Sequence, residues 1–407
     1  MNSQIINKNN YKLYLYKTDK FKSIQMNIVF KKKTTDDLYL YSALCQLLLI
    51  TNKKYKNKID RFIKEEDLYN ASLELAPEQY GDANCFIASM SFINPKLVHD
   101  DFIEEAIKMP FDILSNPSFD ESYLKELKDK MKFIYRRQME SPANRAGRIS
   151  RNLFFSNPLY RSEYFVEDEI VDTITMEQLE TVYNDLINNS NIDIYLLGDV
   201  DDSYIEYIDK YNTFKSNNLS LDFMVCNDTV DKVKEQTDIK EDINQAQVYM
   251  YYNLPELDKI SISKIIIFNI ILGGGMNSRL FKDVRTKNQL CYTVNSRTSY
   301  LYSFFRIYTG VDKENVDKAI SVIKEVVSTM NNITDQEFED AKVKELTSLD
   351  YVYDSLDSIF DRLFMESNDL LCDIEEQKEI INSLTKKDIE EVFNTIKLNT
   401  VYVLKGE

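Results

Sequence analysis

One short segment in the second half of the chain concentrates residues whose types and spacing could do chemistry. It reads Leu272-Gly-Gly-Gly-Met-Asn-Ser-Arg-Leu-Phe-Lys-Asp-Val-Arg285, and a tyrosine, Tyr292, follows seven residues later. The whole chain of 407 residues has only eight glycines, and Gly273, Gly274 and Gly275 are three of them. Glycine lets a backbone bend sharply or approach a ligand closely, at a cost in conformational entropy. The segment therefore predicts a sharp bend or a ligand-contacting loop.

The same residues also have purely structural explanations, without a role in ligand binding. The three glycines could end a buried helix with a left-handed cap, because the apolar run Ile265–Leu272 precedes them. Arg285 could be a surface residue of a helix, and Tyr292 is one tyrosine among 27. The order of the whole segment carries more information than any one of these residues.

The chain has a single histidine, His99, and this excludes a two-histidine metal site within it. His99 lies in a short polar stretch, where an exposed or helix-capping role is expected. The sequence contains no Gly-x-Ser-x-Gly motif, and Gly273–Ser278 lacks the Gly-Lys-Ser/Thr ending of a phosphate-binding loop. We therefore predict neither a catalytic residue nor a metal ligand in this chain.

Composition narrows the class of protein further. A net charge of −17 argues against a nucleic-acid partner, because phosphate binding requires a basic surface. Five scattered cysteines without a Cys-x-x-Cys motif indicate neither a zinc ribbon nor a disulfide framework. The N-terminus lacks a long apolar core, and the longest apolar stretch, Ile265–Leu272, is too short to span a bilayer. A cytoplasmic protein without a membrane partner is expected.

The chain also repeats itself. Residues 173–184 align without gaps to residues 383–394, and each copy runs into a short apolar strand. Upstream of each copy, strands and amphipathic helices follow in the same order. This pattern predicts an α+β fold of two homologous domains, each a mainly antiparallel sheet with helices packed on one face. We place the domains at residues 1–215 and 235–407, with a polar linker at 216–234.

The glycine-rich segment resembles the C-terminal domain of the M16 (pitrilysin- or insulinase-like) peptidases, a family that includes the mitochondrial processing peptidase subunits. Glu167–Asp199, which contains Leu-Leu-Gly-Asp, resembles the closing helix and strand of the family's first domain. The resemblance implies two domains of the M16, LuxS-like metallohydrolase type. One departure is Asn288-Gln289, where the family commonly has Arg-Gly, so a different local turn is expected.

In active members of that family, the first helix carries His-x-x-Glu-His as part of a zinc site. The corresponding helix, Leu40–Ile50, contains no histidine, and Cys45 and Gln46 are not a plausible replacement for the pair. The resemblance therefore implies a zinc-less member, of the kind found in paired bacterial M16 proteins. No cofactor is expected in this chain, and zinc is expected in its partner.

The function implied by the resemblance is that of a non-catalytic subunit in a heterodimeric M16-type metallopeptidase. Arg285 and Tyr292 would reach toward a peptide or unfolded polypeptide held near the partner's zinc, and Gly273–Gly275 would lie against that peptide. Paired bacterial proteins of this kind resemble factors for peptide maturation, and some are linked to translation-factor modification; the sequence does not choose between these. The alternative is a non-proteolytic peptide-binding protein or a core scaffold subunit of a larger complex.

Overall fold

The computed structural model describes residues 3–161, 163–225, 232–255 and 257–407. The chain forms two units, and each contains a segment from the other half of the sequence. The first unit consists of Met1–Arg136, Ser162–Phe223 and Val352–Met365; the second consists of Arg137–Arg161, Met224–Tyr351 and Glu366–Glu407. The predicted boundaries at 215 and 235 followed the sequence repeat and remain a prediction. Residues 226–231 of the predicted linker lie outside the described residues.

The first unit is built on a mixed sheet with the strand order β1-β2-β6-β3-β5-β4. The strands are β1 (Gln4–Asn7), β2 (Lys12–Lys17), β3 (Ser23–Lys33), β4 (Ser72–Tyr80), β5 (Ala83–Ile93) and β6 (Asn191–Gly198). The helices are α1 (Leu38–Ile50), α2 (Lys58–Asp67), α3 (Ile103–Ser115), α4 (Leu124–Met139), α6 (Asp168–Asp172), α7 (Met176–Asn189), α8 (Asp202–Tyr211) and α12 (Leu356–Ser367). Only β2 and β6 pair in parallel among the described strands of this sheet.

Alternation along β3 decides which face of this sheet carries most of the helices. Ile24, Met26 and Ile28 are fully buried in a core that also contains residues of α1, α3 and α7. Residues of a strand alternate between faces, so Gln25 and its odd-numbered neighbours point to the opposite side. The predicted layer of helices on one face is therefore present.

Helix α12, from the second half of the chain, covers part of that opposite face. Phe360 and Phe364 pack against Tyr195 of β6, with ring centroids 5.2 and 6.3 Å apart. Gln25 donates from Nε2 to Asp357 Oδ1 over 2.9 Å. The first sheet is thus completed by a helix that lies far from it in sequence.

The second unit is built on a mixed sheet with the strand order β7-β11-β8-β10-β9. The strands are β7 (Lys234–Ile239), β8 (Ala246–Asn253), β9 (Cys291–Ser299), β10 (Phe304–Val311) and β11 (Lys397–Lys405). The α-helices are α5 (Pro142–Phe154), α9 (Lys259–Gly273), α10 (Val316–Ser328), α11 (Asp335–Tyr351), α13 (Ile374–Ser383) and α14 (Lys386–Phe393), and a π-helix spans Phe281–Lys287.

Helix α5, from the first half of the chain, packs on one face of this second sheet. The ring of Phe154 stacks on Tyr251 of β8 at 4.8 Å, and Tyr249 donates its hydroxyl to the carbonyl of Ala143 over 2.8 Å. The other face receives α9, whose Phe268 packs on Phe305 of β10 at 6.0 Å. Each unit therefore includes one helix from the opposite half of the chain.

The two sheets have corresponding topologies. The order β2-β6-β3-β5-β4 in the first matches β7-β11-β8-β10-β9 in the second, including one parallel pair at the same place. The repeated segments become α7 and α14, and a threonine, Thr175 or Thr385, caps each with a reciprocal capping box. The predicted α+β fold of two mainly antiparallel sheets with helices is confirmed. In the described part of the chain, no helix is long and apolar enough to cross a membrane.

Candidate functional site

The first glycine of the triplet is required by packing between a helix and a strand. Gly273 is the last residue of α9, and it is buried. A Cβ atom at this position would lie 2.4 Å from Ser296 Oγ and 2.6 Å from Ser296 N of β9. In the preceding turn, Asn269 accepts a hydrogen bond of 2.6 Å from the same Ser296 hydroxyl. Gly273 therefore lets the end of α9 lie directly on β9.

The next two glycines turn the chain away from the helix. Gly274 caps α9 with φ −79°, and a Cβ there would lie 2.7 Å from Ile270 Cα. Gly275 has φ +148°, a conformation that L residues rarely adopt, and it is exposed. Lys344 of α11 donates to the carbonyl of Gly274. The triplet thus ends a buried helix and also exposes backbone at its tip, so the helix-capping explanation and the close-approach explanation are compatible.

An open cleft of about 710 Å³ lies beside the glycine tip. Its lining includes Gly275, Met276, Lys282 and Val343. Met276 and Val343 are 76 and 63% exposed, so the cleft has apolar walls that face solvent. An extended peptide is the kind of ligand that such an open, partly apolar cleft could hold.

Sequence reasoning missed one residue that organises the segment, Arg279. Its guanidinium donates to both carboxylate oxygens of Glu337 in α11, over 2.8 and 2.7 Å. It also donates to the carbonyl oxygens of Thr329 and Asn332, over 2.6 and 3.0 Å. The Arg279 guanidinium holds the pKa of Glu337 down at about 2. The Ser-Arg-Leu triplet in the sequence contains this arginine. Its acidic partner could not be identified from that triplet, because Glu337 lies 58 residues away.

Arg285 lies in the π-helix, a rare conformation that often occurs at functional sites. Its guanidinium lies over the ring of Phe281, 4.6 Å from the centroid, and the residue is exposed. Within the described residues it makes no ion pair or side-chain hydrogen bond. The donors of a guanidinium held on an aromatic ring in this way stay available to an external acceptor.

Tyr292 is the second residue of β9, and it is 80% exposed. Its hydroxyl also has no hydrogen-bond partner in the described part of the chain. Burial raises the pKa of the neighbouring Cys291 thiol, while the nearby charge of Arg285 lowers it. Both predicted side chains are thus exposed on neighbouring parts of one segment.

The turn between Arg285 and Tyr292 has an unusual backbone. Gln289 has φ 52°, in the left-handed region that favours glycine. The resemblance places a glycine at this position, and the glutamine here occupies a glycine-like conformation. The substitution Asn288-Gln289 has therefore not removed the need for a left-handed residue.

Helix α1, where the resemblance places the zinc motif, offers no ligands suited to zinc. The Cys45 side chain is fully buried, and burial raises the pKa of its thiol well above the ordinary value, which disfavours a thiolate ligand. His99 lies elsewhere, exposed, in a loop at φ 55°. Over the described ranges, no group of three His, Cys, Asp or Glu side chains could hold a metal ion. The residues present do not fit a zinc site.

Sequence comparisons give the relationships of the chain. Residues 173–344 match the family model for the peptidase M16 inactive domain. The probable inactive metalloprotease YmfF of Bacillus subtilis is 25% identical over 417 residues, which cover 97% of this chain and 95% of that protein. The non-peptidase homolog YmxG of Helicobacter pylori is 25% identical over 259 residues, which cover 60% of this chain and 57% of that protein.

Solved structures share the complete fold. A conserved protein from Enterococcus faecalis V583 superposes with a TM-score of 0.91 at 20% identity, covering 100% of this chain and 99% of that one. A peptidase M16 inactive domain from Pseudomonas fluorescens superposes with a TM-score of 0.80 at 17% identity, with the same coverage. Residues 173–344 thus match the peptidase M16 inactive domain family, and the chain as a whole is similar to a relative named as a probable inactive metalloprotease.

Proposed function

We propose that this inactive M16 homologue is the non-catalytic subunit of a heterodimeric metallopeptidase. In this role it presents Arg285, Tyr292 and the Gly273–Gly275 loop to a peptide that a zinc-bearing partner cleaves. The observation that carries the proposal is that the Arg285 and Tyr292 side chains are exposed and, among the described residues, have no hydrogen-bond partner, on a segment that Arg279 ties to α11. A surface arginine and tyrosine kept free beside a rigid loop suit a ligand that another chain brings.

Each residue has a defined task in this arrangement. Zinc held by the partner would supply the Lewis acid that polarises the scissile carbonyl and acidifies a bound water. The Arg285 guanidinium donates to a carbonyl of the bound peptide, which fixes the position of the peptide. The Tyr292 hydroxyl donates to the oxygen that becomes negative in the tetrahedral intermediate. The exposed backbone at Gly275 gives the peptide close access because no side chain stands in the way.

A native pull-down followed by reconstitution tests the proposal. The chain should recover a protein of similar size that carries His-x-x-Glu-His and zinc. In the reconstituted pair, Arg285→Ala and Tyr292→Phe should each lower kcat/KM for peptide cleavage by roughly tenfold to a hundredfold. Tyr351→Phe is a matched control, because Tyr351 is 65% exposed and lies outside the segment.

Two results would contradict the proposal. One is recovery of this chain without any zinc-bearing partner. The other is full cleavage activity in both variants, with folding verified by thermal melting. Because both side chains are exposed, neither substitution should change the free energy of unfolding by more than about 0.5 kcal/mol.

The second candidate function is a non-proteolytic peptide-binding or scaffold role. It is favoured by the Helicobacter pylori relative, whose name describes it as a non-peptidase homolog. In that case a peptide would still bind beside Gly275, but no cleavage would depend on Arg285 or Tyr292. Peptide binding to the isolated chain, with unchanged affinity in both variants, would support this alternative.

A further inference from the structure

Helix α2, in the first unit, exposes its apolar side to solvent and buries charged residues, which is the reverse of the usual arrangement. Ile59, Phe62 and Ile63 are 62, 50 and 52% exposed, although they share one face at the i, i+3, i+4 spacing. Arg61 and Glu65 are the buried residues of the helix. A surface helix ordinarily buries its apolar stripe and exposes its charges.

The buried charged side chains of α2 have ion-pair and hydrogen-bond partners, and these partners fix the orientation of the helix. Arg61 pairs with Glu65, and its Nε donates to the carbonyl of Leu49 at the end of α1 over 3.3 Å. Glu65 accepts a hydrogen bond of 3.4 Å from the backbone of Leu73 in β4. The helix cannot rotate to bury its apolar stripe without breaking this network and leaving a buried charge unpaired.

A further exposed apolar residue lies on helix α4. Lys58 of α2 pairs with Glu126 of α4 at 3.2 Å. Phe133, two turns further along α4, is 62% exposed. Exposed large apolar residues grouped in this way mark interaction surfaces, whereas single ones need no explanation.

Charge is distributed unevenly along the stripe. Lys56, just before the helix, is exposed, and Glu66 and Asp67, at its end, are exposed as well. Among the residues that the structure describes, none of these three side chains forms an ion pair. The surface is therefore apolar in the middle, with Lys56 before it and Glu66 and Asp67 after it, and exposed Asp60 adds a negative charge next to Ile59.

Such a surface is complementary to a copy of itself. If two α2 helices lie antiparallel across a two-fold axis near residue 61, positions at equal distances on either side of 61 face each other. Ile59 then faces Ile63 of the second copy, Phe62 lies beside the axis, and Lys56 faces Glu66. We propose that two copies of this chain associate through antiparallel α2 helices. This contact is separate from the proposed pairing with a zinc-bearing subunit and does not depend on it.

Sedimentation equilibrium of the purified full chain tests the proposal. The wild-type protein should show a concentration-dependent dimer, and Phe62→Glu should raise the dimer Kd by about tenfold or more. Ile260→Glu is a matched control, because Ile260 is also 50% exposed but lies on α9 of the second unit. A wild-type chain that is monomeric at all accessible concentrations, or a Phe62→Glu chain with unchanged Kd, would overturn the proposal.

A charge exchange tests the antiparallel geometry itself. Lys56→Glu and Glu66→Lys should each weaken dimerisation when present alone, because both ion pairs of the symmetric dimer then become repulsive. An equimolar mixture of the two variants should recover the wild-type Kd, because both pairs in the mixed dimer are again of opposite sign. In a parallel arrangement like residues would face each other, so neither variant alone would dimerise more weakly than the wild type and the mixture would be tighter than the wild type. That result, or one Kd for all samples, would refute the geometry.

Discussion

Arg279 and Glu337 join the segment after the glycines to helix α11 through two parallel contacts, Nε to Oε1 at 2.8 Å and Nη2 to Oε2 at 2.7 Å. The same guanidinium also holds two carbonyl oxygens that follow α10. One side chain therefore anchors the entrance of the π-helix on which Arg285 lies. The exposed pair depends on this anchor for its position.

Replacement of the anchor should be costly. Arg279→Ala would leave Glu337 without its guanidinium partner and would remove one donor from each of two carbonyls. We expect a loss of about 2–3 kcal/mol in the free energy of unfolding, measured by urea denaturation. Arg279→Lys should recover only part of it, since an ammonium cannot reproduce the planar fork. A full recovery by lysine would indicate that charge alone matters.

Glu337 also predicts a specific acid sensitivity. Its pKa is lowered from an ordinary value near 4.5 to about 2, first by the hydrogen bond from Arg279. A depressed folded-state pKa stabilises the fold fully above about pH 4.5, and that stabilisation falls as the pH drops toward 2. We expect this group to contribute about 1–2 kcal/mol to the loss, because the pair is partly exposed and solvent screens it. Between pH 5 and 3, the free energy of unfolding from chemical denaturation should fall less for Glu337→Gln than for the wild type.

Substitutions in and just after the glycine triplet should differ sharply in their cost to stability. Gly273→Ala would place a methyl group within 2.6 Å of backbone in β9, so we expect a loss of about 2 kcal/mol or more. Asn277→Ala, in the exposed turn four residues later, should cost less than about 0.5 kcal/mol. Thermal unfolding of the two variants checks the prediction. Equal melting temperatures would mean that α9 can move away from β9 at little cost.

Replacement of Gln289 by glycine should stabilise the protein. A side chain at φ 52° costs about 1–2 kcal/mol, and glycine removes that cost while adding entropy to the unfolded chain. Gln289→Gly should therefore stabilise the protein by about 0.5 kcal/mol, measured by chemical denaturation. Gln289→Ala keeps the Cβ and serves as the control, with no gain expected. Stabilisation by both variants would assign the effect to the lost amide and not to the backbone.

Local signals in the sequence predicted much of the fold. The repeated segments at residues 173–184 and 383–394 contain α7 and α14, whose Thr175 and Thr385 caps recur at Thr334 of α11. These signals are readable because the interacting residues lie within one helical turn of each other. The apolar alternation of β3 likewise predicted its strand.

The parts that escaped prediction depend on contacts between distant residues. The pairing of Arg279 with Glu337 and the covering of β6 by Phe360 involve partners far apart in sequence. The buried face of α2 depends on tertiary packing in the same way, because its buried residues, Arg61 and Glu65, are both charged. Ion-pair geometry of this kind is set by tertiary packing and leaves no periodic trace in the sequence.

Helix α5 comes from the first half of the chain but belongs to the second unit, and α12 comes from the second half but packs on the first sheet. This arrangement has a consequence for biosynthesis. The sheet of the first unit is complete at residue 198, but the helix that covers its second face ends at residue 367. A ribosome must therefore make most of the polypeptide before the aromatic face around Tyr195 can be covered. Until then the nascent chain exposes an unfinished surface, and a polypeptide cut between the halves would yield two fragments that each lack one helix.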